Sequence, residues 1–110
     1  MDKLKIMLST PTENKTKEEI DNEKNELADI LFDYFGEDNI VILSPIIEKH
    51  TGKSELEYFG ESIFCMSESN ALVMGGHWAD SRICKLQYEI ANAYDVPILF
   101  IDELKRELEE

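Results

Sequence analysis

Four short apolar runs, Leu4–Ser9, Ile40–Leu43, Ala71–Met74 and residues 98–101, alternate with stretches of helical periodicity, and this alternation constrains the fold more than any other feature of the chain. The runs are apolar at successive positions, so strands built from them have little to offer water on either side. Such strands belong in a parallel sheet covered by helices on both faces. The intervening segments supply the helices. Thr16-Lys17-Glu18-Glu19 has the spacing of a capping box, and Ile20, Leu27, Ile30, Leu31, Tyr34 and Phe35 recur at helical intervals until Gly36.

The second strand is expected to end at Ser44-Pro45, followed by an irregular loop over 46–53. Ser54-Glu55-Leu56-Glu57 repeats the capping-box spacing and opens a helix running to about Ser67. A third helix is predicted over 81–94, a fourth strand over 98–101, and a short charged helix capped by Asp102 at the end. Right-handed crossovers and the strand order 2-1-3-4 then give one α/β domain over 1–110, flavodoxin-like or Rossmann-like, with a parallel sheet of four to five strands. Ligands of such sheets bind beyond the carboxyl ends of the strands, where the order reverses. That rule assigns the walls of a crevice to Ser9, Thr10 and Pro11 on one side and to Gly75 through Ser81 on the other.

Charge narrows the ligands. Twenty-four acidic residues against eleven basic ones in a chain of 110 give a formal charge of -13, with no Lys/Arg stripe to displace counterions from a phosphate backbone. A nucleic acid polymer and an anionic membrane surface are therefore poor partners, while a small anion can still be held by backbone N–H groups. No apolar run reaches the length of a membrane span, and Met1-Asp2-Lys3-Leu4 does not open a signal peptide, so a cytoplasmic location is expected. Cys65 and Cys84 lack metal-ligand spacing and a nearby His cluster. Neither a metal nor another cofactor is expected.

Within the predicted crevice, Gly75-Gly76 permits close backbone approach by a ligand, although a simple turn accounts for the pair equally well. Ser81 can cap the third helix, whose N-terminal N–H groups suit a phosphate or a ribose hydroxyl. Arg82, in the first turn, opposes the helix dipole, which fits a role in holding an anion; a solvated surface arginine is the simpler reading. His77 can hydrogen-bond a ligand and Trp78 can stack on a base, but tryptophan more often packs against its own helix. Ile83, Gln87, Ile90, Ala91 and Tyr94 share one helical face, on which Gln87 is the polar member. Glu89 lies about 200° around the helix from it. Asn70, just before the third strand, reads as readily as a turn residue as a functional one.

Taken together, these residues resemble the nucleoside 2-deoxyribosyltransferase-like superfamily, and within it a family of short bacterial and phage proteins, over nearly the whole chain. Ser9-Thr10-Pro11 is similar to that family's Ser-Gly/Gln-Pro after the first strand, and Asn14-Lys15-Thr16 with Glu18-Glu19-Ile20 to its Gly-Lys-Thr…Glu-Glu-Ile run. Ser67 through Val73 is similar to its Ser-x-Ala-Asp-Ala-Val-Val segment. Gly76 through Gln87, followed by Ala91 through Val96, is similar to its Gly-Trp…Ala/Ser-Arg-Gly-Cys-x-x-Glu…Ala-x-x-Tyr-Gly-x signature, with His77 as an extra residue. In the enzymes of the superfamily, a helical glutamate attacks the anomeric carbon of a nucleoside or nucleotide. A carboxylate suits that step because it is nucleophilic and stabilises oxocarbenium charge.

Here the catalytic position holds Gln87, an amide with neither property. The family's aspartate before the third strand is replaced by Asn70, and two glycines by Ile83 and Asp95. The resemblance therefore implies a nucleotide-sized crevice without the family's chemistry: a protein that binds a nucleoside, nucleotide or nucleotide-derived molecule, such as a signal used in phage defence. Two alternatives remain. One is a deoxyribosyltransferase or nucleotide N-glycosidase in which Glu89, Asp80 or another residue replaces the missing carboxylate. The other is an interaction protein with a vestigial site. The resemblance also implies homo-oligomers in which neighbouring chains help complete each site.

Overall fold

A computed structural model of the protein describes residues 3–43 and 55–109. Strand β1 (Leu4–Ser9) leads to helix α1 (Lys17–Phe35), a 3₁₀ turn (Glu37–Asn39) and β2 (Ile40–Leu43). Helix α2 (Glu55–Ser67), β3 (Ala71–Met74), a second 3₁₀ turn (Trp78–Asp80), α3 (Arg82–Ala93), β4 (Ile98–Phe100) and α4 (Ile101–Glu109) follow. The described strands form one sheet in the order β2-β1-β3-β4, and every pairing is parallel. This is the expected 2-1-3-4 α/β domain, with four strands among the described residues. The loop predicted over 46–53, the Ser44-Pro45 strand ending and the Ser54 cap lie outside the described residues.

Period-two alternation divides the core between the two faces of the sheet. On one side, Ile6, Leu8 and Val73 pack with Leu27 and Leu31 of α1 and with Ile101 and Leu104 of α4. On the other, Met7, Leu72 and Met74 pack with Met66 of α2 and with Cys84 and Ala91 of α3. The α1 start is built as its spacing predicts. Glu19 N–H donates to Thr16 Oγ1 at 3.1 Å, and Thr16 N–H donates to Glu19 Oε1 at 3.1 Å, so two of the otherwise orphaned amide groups are satisfied.

Two boundaries differ from the sequence expectation. Strand β4 ends at Phe100, and Ile101 already begins α4. Its side chain is 1% exposed and joins the α1 face beside Leu104, so core burial draws it into the helix and leaves Asp102 in the first turn rather than at the cap. An acid there still faces the positive end of the dipole. The buried stripe of α3 is Ile83, Cys84, Gln87 and Ala91, while Tyr94 is 78% exposed. The helix ends at Ala93, and Tyr94 has turned away from the helical phase that would carry it inward.

Asp95, where the resembled family has glycine, sits at φ 59°, and Asn14, opposite another family glycine, sits at φ 61°. Both positions require left-handed backbone. Asn and Asp tolerate that region better than other side chains.

Candidate functional site

Register brings the ends of β1 and β3 level, with Ser9 opposite Met74, so the loops that follow leave side by side. Gly75 N–H donates to Ser9 O at 2.8 Å and extends the ladder by one bond. A Cβ on Gly75 would stand 3.1 Å from both Leu27 Cδ1 and Ser9 O and 3.4 Å from Thr10 Cγ2. The glycine is therefore fixed by close packing of the β1 end and α1 rather than by backbone conformation.

Ser9 follows Met7 by two residues and so points to the α3 side. There its hydroxyl donates to Gln87 Oε1 at 2.5 Å, with the two residues 1% and 2% exposed. A buried polar group without a partner costs about 1–3 kcal/mol, so each of these residues accounts for the other's burial. Thr10, the next residue, is 4% exposed, and among the described residues its Oγ1 is buried with no hydrogen-bond partner.

Above this pair, Glu13 reaches from the loop after β1 to the start of α3. Ser81 Oγ donates to Glu13 Oε1 at 2.6 Å and Arg82 N–H donates to Glu13 Oε2 at 2.8 Å. Ser81 Oγ also accepts from Cys84 N–H at 3.2 Å, the expected N-cap. Partial burial pushes the Glu13 carboxyl up, but hydrogen bonds from Ser81, its own N–H, Arg82 and Thr12 outweigh this and hold it below its ordinary value. The amide end that sequence reasoning offered to a ligand anion is thus occupied by a carboxylate of the chain itself.

Tyr58 of α2 and Cys84 stand near the same cluster. Burial, followed by the charges of Cys84, Cys65, Glu13 and Glu61, pushes the Tyr58 phenol up to about 12. Burial likewise raises the Cys84 thiol, only partly offset by hydrogen bonds with Ser81 and Ser9. Burial thus favours the neutral form of both groups, which makes the Cys84 thiol less nucleophilic than an exposed cysteine.

The remaining predicted residues divide. Pro11 is buried beside Thr10. Gly76 and His77 border a different cavity of about 440 Å³ with Lys15, Glu19 and Lys105, on the α1 and α4 side. The His77 ring is largely exposed, 4.0 Å from Asp80, and its backbone is left-handed at φ 61°. Trp78 stacks on Tyr88 at 5.0 Å and lies 5.7 Å from Phe100, so its described ring contacts are with α3 and β4. Arg82 contributes its backbone N–H to Glu13 while the residue as a whole is exposed.

Asn70 lies at the opposite end of the sheet from Ser9. Lys5 N–H donates to Asn70 Oδ1 at 2.8 Å and Asn70 N–H donates to Lys5 O at 2.7 Å, a reciprocal clamp that aligns β1 with β3. Asp80 is almost fully exposed and Glu89 is exposed, so neither carboxylate lies with the buried Ser9–Gln87 pair. Among the described residues no cluster of His, Cys, Asp and Glu is placed to hold a metal, and no helix is long and apolar enough to cross a membrane.

Sequence reasoning missed Glu13 and Tyr58. Glu13 lies in a loop with no periodicity, and nothing local connects it to a helix start 68 positions on. Tyr58 sits in the first turns of α2, where the capping-box spacing marked a helix start without showing which side chains come near Glu13 and Cys84.

No family model, curated protein or solved structure matches this chain.

Proposed function

We propose that this protein binds a nucleoside, nucleotide or nucleotide-derived small molecule in the crevice between the ends of β1 and β3, without transferring its glycosyl group. The observation that carries this reading is the buried Ser9–Gln87 pair beside the unpartnered Thr10 hydroxyl, at the point where the strand order reverses. Buried polar groups at that point suit a hydroxyl-bearing ligand. At the position where the resembled enzymes carry a nucleophilic carboxylate, an amide accepts a hydrogen bond from the Ser9 hydroxyl instead, and such a group cannot form a glycosyl intermediate. The left-handed Asn14 and Asp95, each opposite a family glycine, lend support to the resemblance behind the ligand class. The same reading puts the protein in the cytoplasm, with sequestration rather than turnover as its activity.

Calorimetry against nucleosides, nucleotides and ADP-ribose-type molecules tests the proposal. Saturable binding is expected for at least one of them, weakened about tenfold by Thr10→Val, the loss of one hydrogen bond to the ligand. Chromatography should detect no free base. Absence of binding across the panel sinks the reading, and base release by the wild type overturns its non-catalytic part.

A further inference from the structure

Resting on that reading, we infer that Glu13 is a specificity-determining residue: its carboxylate fills the anion position at the start of α3, so the crevice takes a phosphate-free nucleoside in preference to a nucleotide. Three groups of observations lead there. Glu13 satisfies Ser81 Oγ–H with one oxygen and Arg82 N–H with the other, at 2.6 and 2.8 Å. These are the donors that a phosphate would use at this helix, whose twelve residues align their dipoles on the same point. A ligand phosphate arriving there would meet a carboxylate that already holds these two donors.

Next to this anion, the groups without charge are those of a hydroxyl-binding site. Thr10 Oγ1 is buried and, among the described residues, unpartnered, and Ser9 and Gln87 form the buried pair. A Thr hydroxyl donates once and accepts twice, and so matches an alcohol better than a phosphate oxygen, which only accepts. The chain's formal charge of -13 adds long-range repulsion against a polyanion and none against a neutral nucleoside.

The test measures inorganic phosphate binding, by calorimetry and by the amide resonances of Arg82 and Cys84, in the wild type, Glu13→Ala, Glu13→Gln and the double variant Glu13→Ala/Ser81→Ala. Glu13→Ala should bind phosphate about tenfold or more tightly than the wild type, as expected when a like charge leaves a helix terminus. The double variant should lose most of that gain. Glu13→Gln removes the charge but keeps an oxygen for Ser81, and covers the case in which Glu13→Ala does not fold. Phosphate binding that is unchanged in whichever Glu13 variant folds, or a gain that survives loss of the Ser81 hydroxyl, overturns the inference. Because phosphate is the probe, this result is separate from nucleoside binding by the wild type, whose failure would count against the proposed function alone.

Discussion

The two faces of the sheet are built differently. Against α1 and α4 the core is branched hydrocarbon, with Ile6, Leu8, Leu27, Leu31, Val73 and Ile101. Against α2 and α3 it is mostly methionine, cysteine and alanine around a single buried leucine, Leu72, interrupted by Ser9 and Gln87 and edged by Trp78, Tyr88 and Phe100. Branched side chains interlock in few arrangements, whereas methionine adapts to irregular space and small residues leave room for polar groups. One face holds the fold together, and the other carries the candidate site at its upper edge.

Leu31→Ala strikes the first face where it is fully buried and should produce the largest loss, about 2–5 kcal/mol of unfolding free energy in chemical denaturation. Ligand affinity of the folded fraction should be unaffected, which keeps the faces separate. Gln87→Leu, on the second face, removes the acceptor of the buried Ser9 hydroxyl and should cost about 1–3 kcal/mol. The double variant Ser9→Ala/Gln87→Leu should cost less than the two single changes summed, because each single change strands the other partner. Additive costs would show that the pair does not behave as a unit.

Gly75→Ala probes the seam where the faces meet, since the added methyl is crowded by Leu27 of α1 and by Ser9 O of β1. A loss of about 1–2 kcal/mol is expected from such overpacking, together with weaker ligand binding if the β1 end shifts. A smaller effect should appear in acid. Because the folded-state carboxyl of Glu13 titrates below its ordinary value of 4.5, its contacts with α3 contribute stability that is present above that value. The contribution is lost as pH falls through the lowered folded-state value. Glu13→Gln should remove this part of the acid sensitivity, measured as the difference between the two proteins' thermal melts across that range. Smallest of all, Asp95→Gly should stabilise by about 0.5 kcal/mol, by relieving a left-handed residue remote from both cores.

The alternation of strands and helices, the capping box at Thr16, the Ser81 cap and the 2-1-3-4 order were all readable from the chain. Each depends on periodicity or on residues three apart, and such patterns reflect local geometry that tertiary packing seldom overturns when both agree. Gln87 was likewise readable as the polar member of a buried helical stripe. Its partner was not: Ser9 lies 78 positions away, and only the register of β1 against β3 and the phase of α3 bring the two together. The contiguous loop from Gly75 to Ser81 reads in the sequence as one wall of a crevice. The folded chain instead turns His77 outward beside the α1 and α4 cavity and Trp78 onto Tyr88. What the sequence determined by itself is the α/β architecture and the amide at position 87. Which anion sits on α3, and where the residues of that loop turn, only the tertiary structure decided. Those outcomes depend on through-space distances and on backbone angles such as the left-handed His77, and neither is encoded in residue spacing.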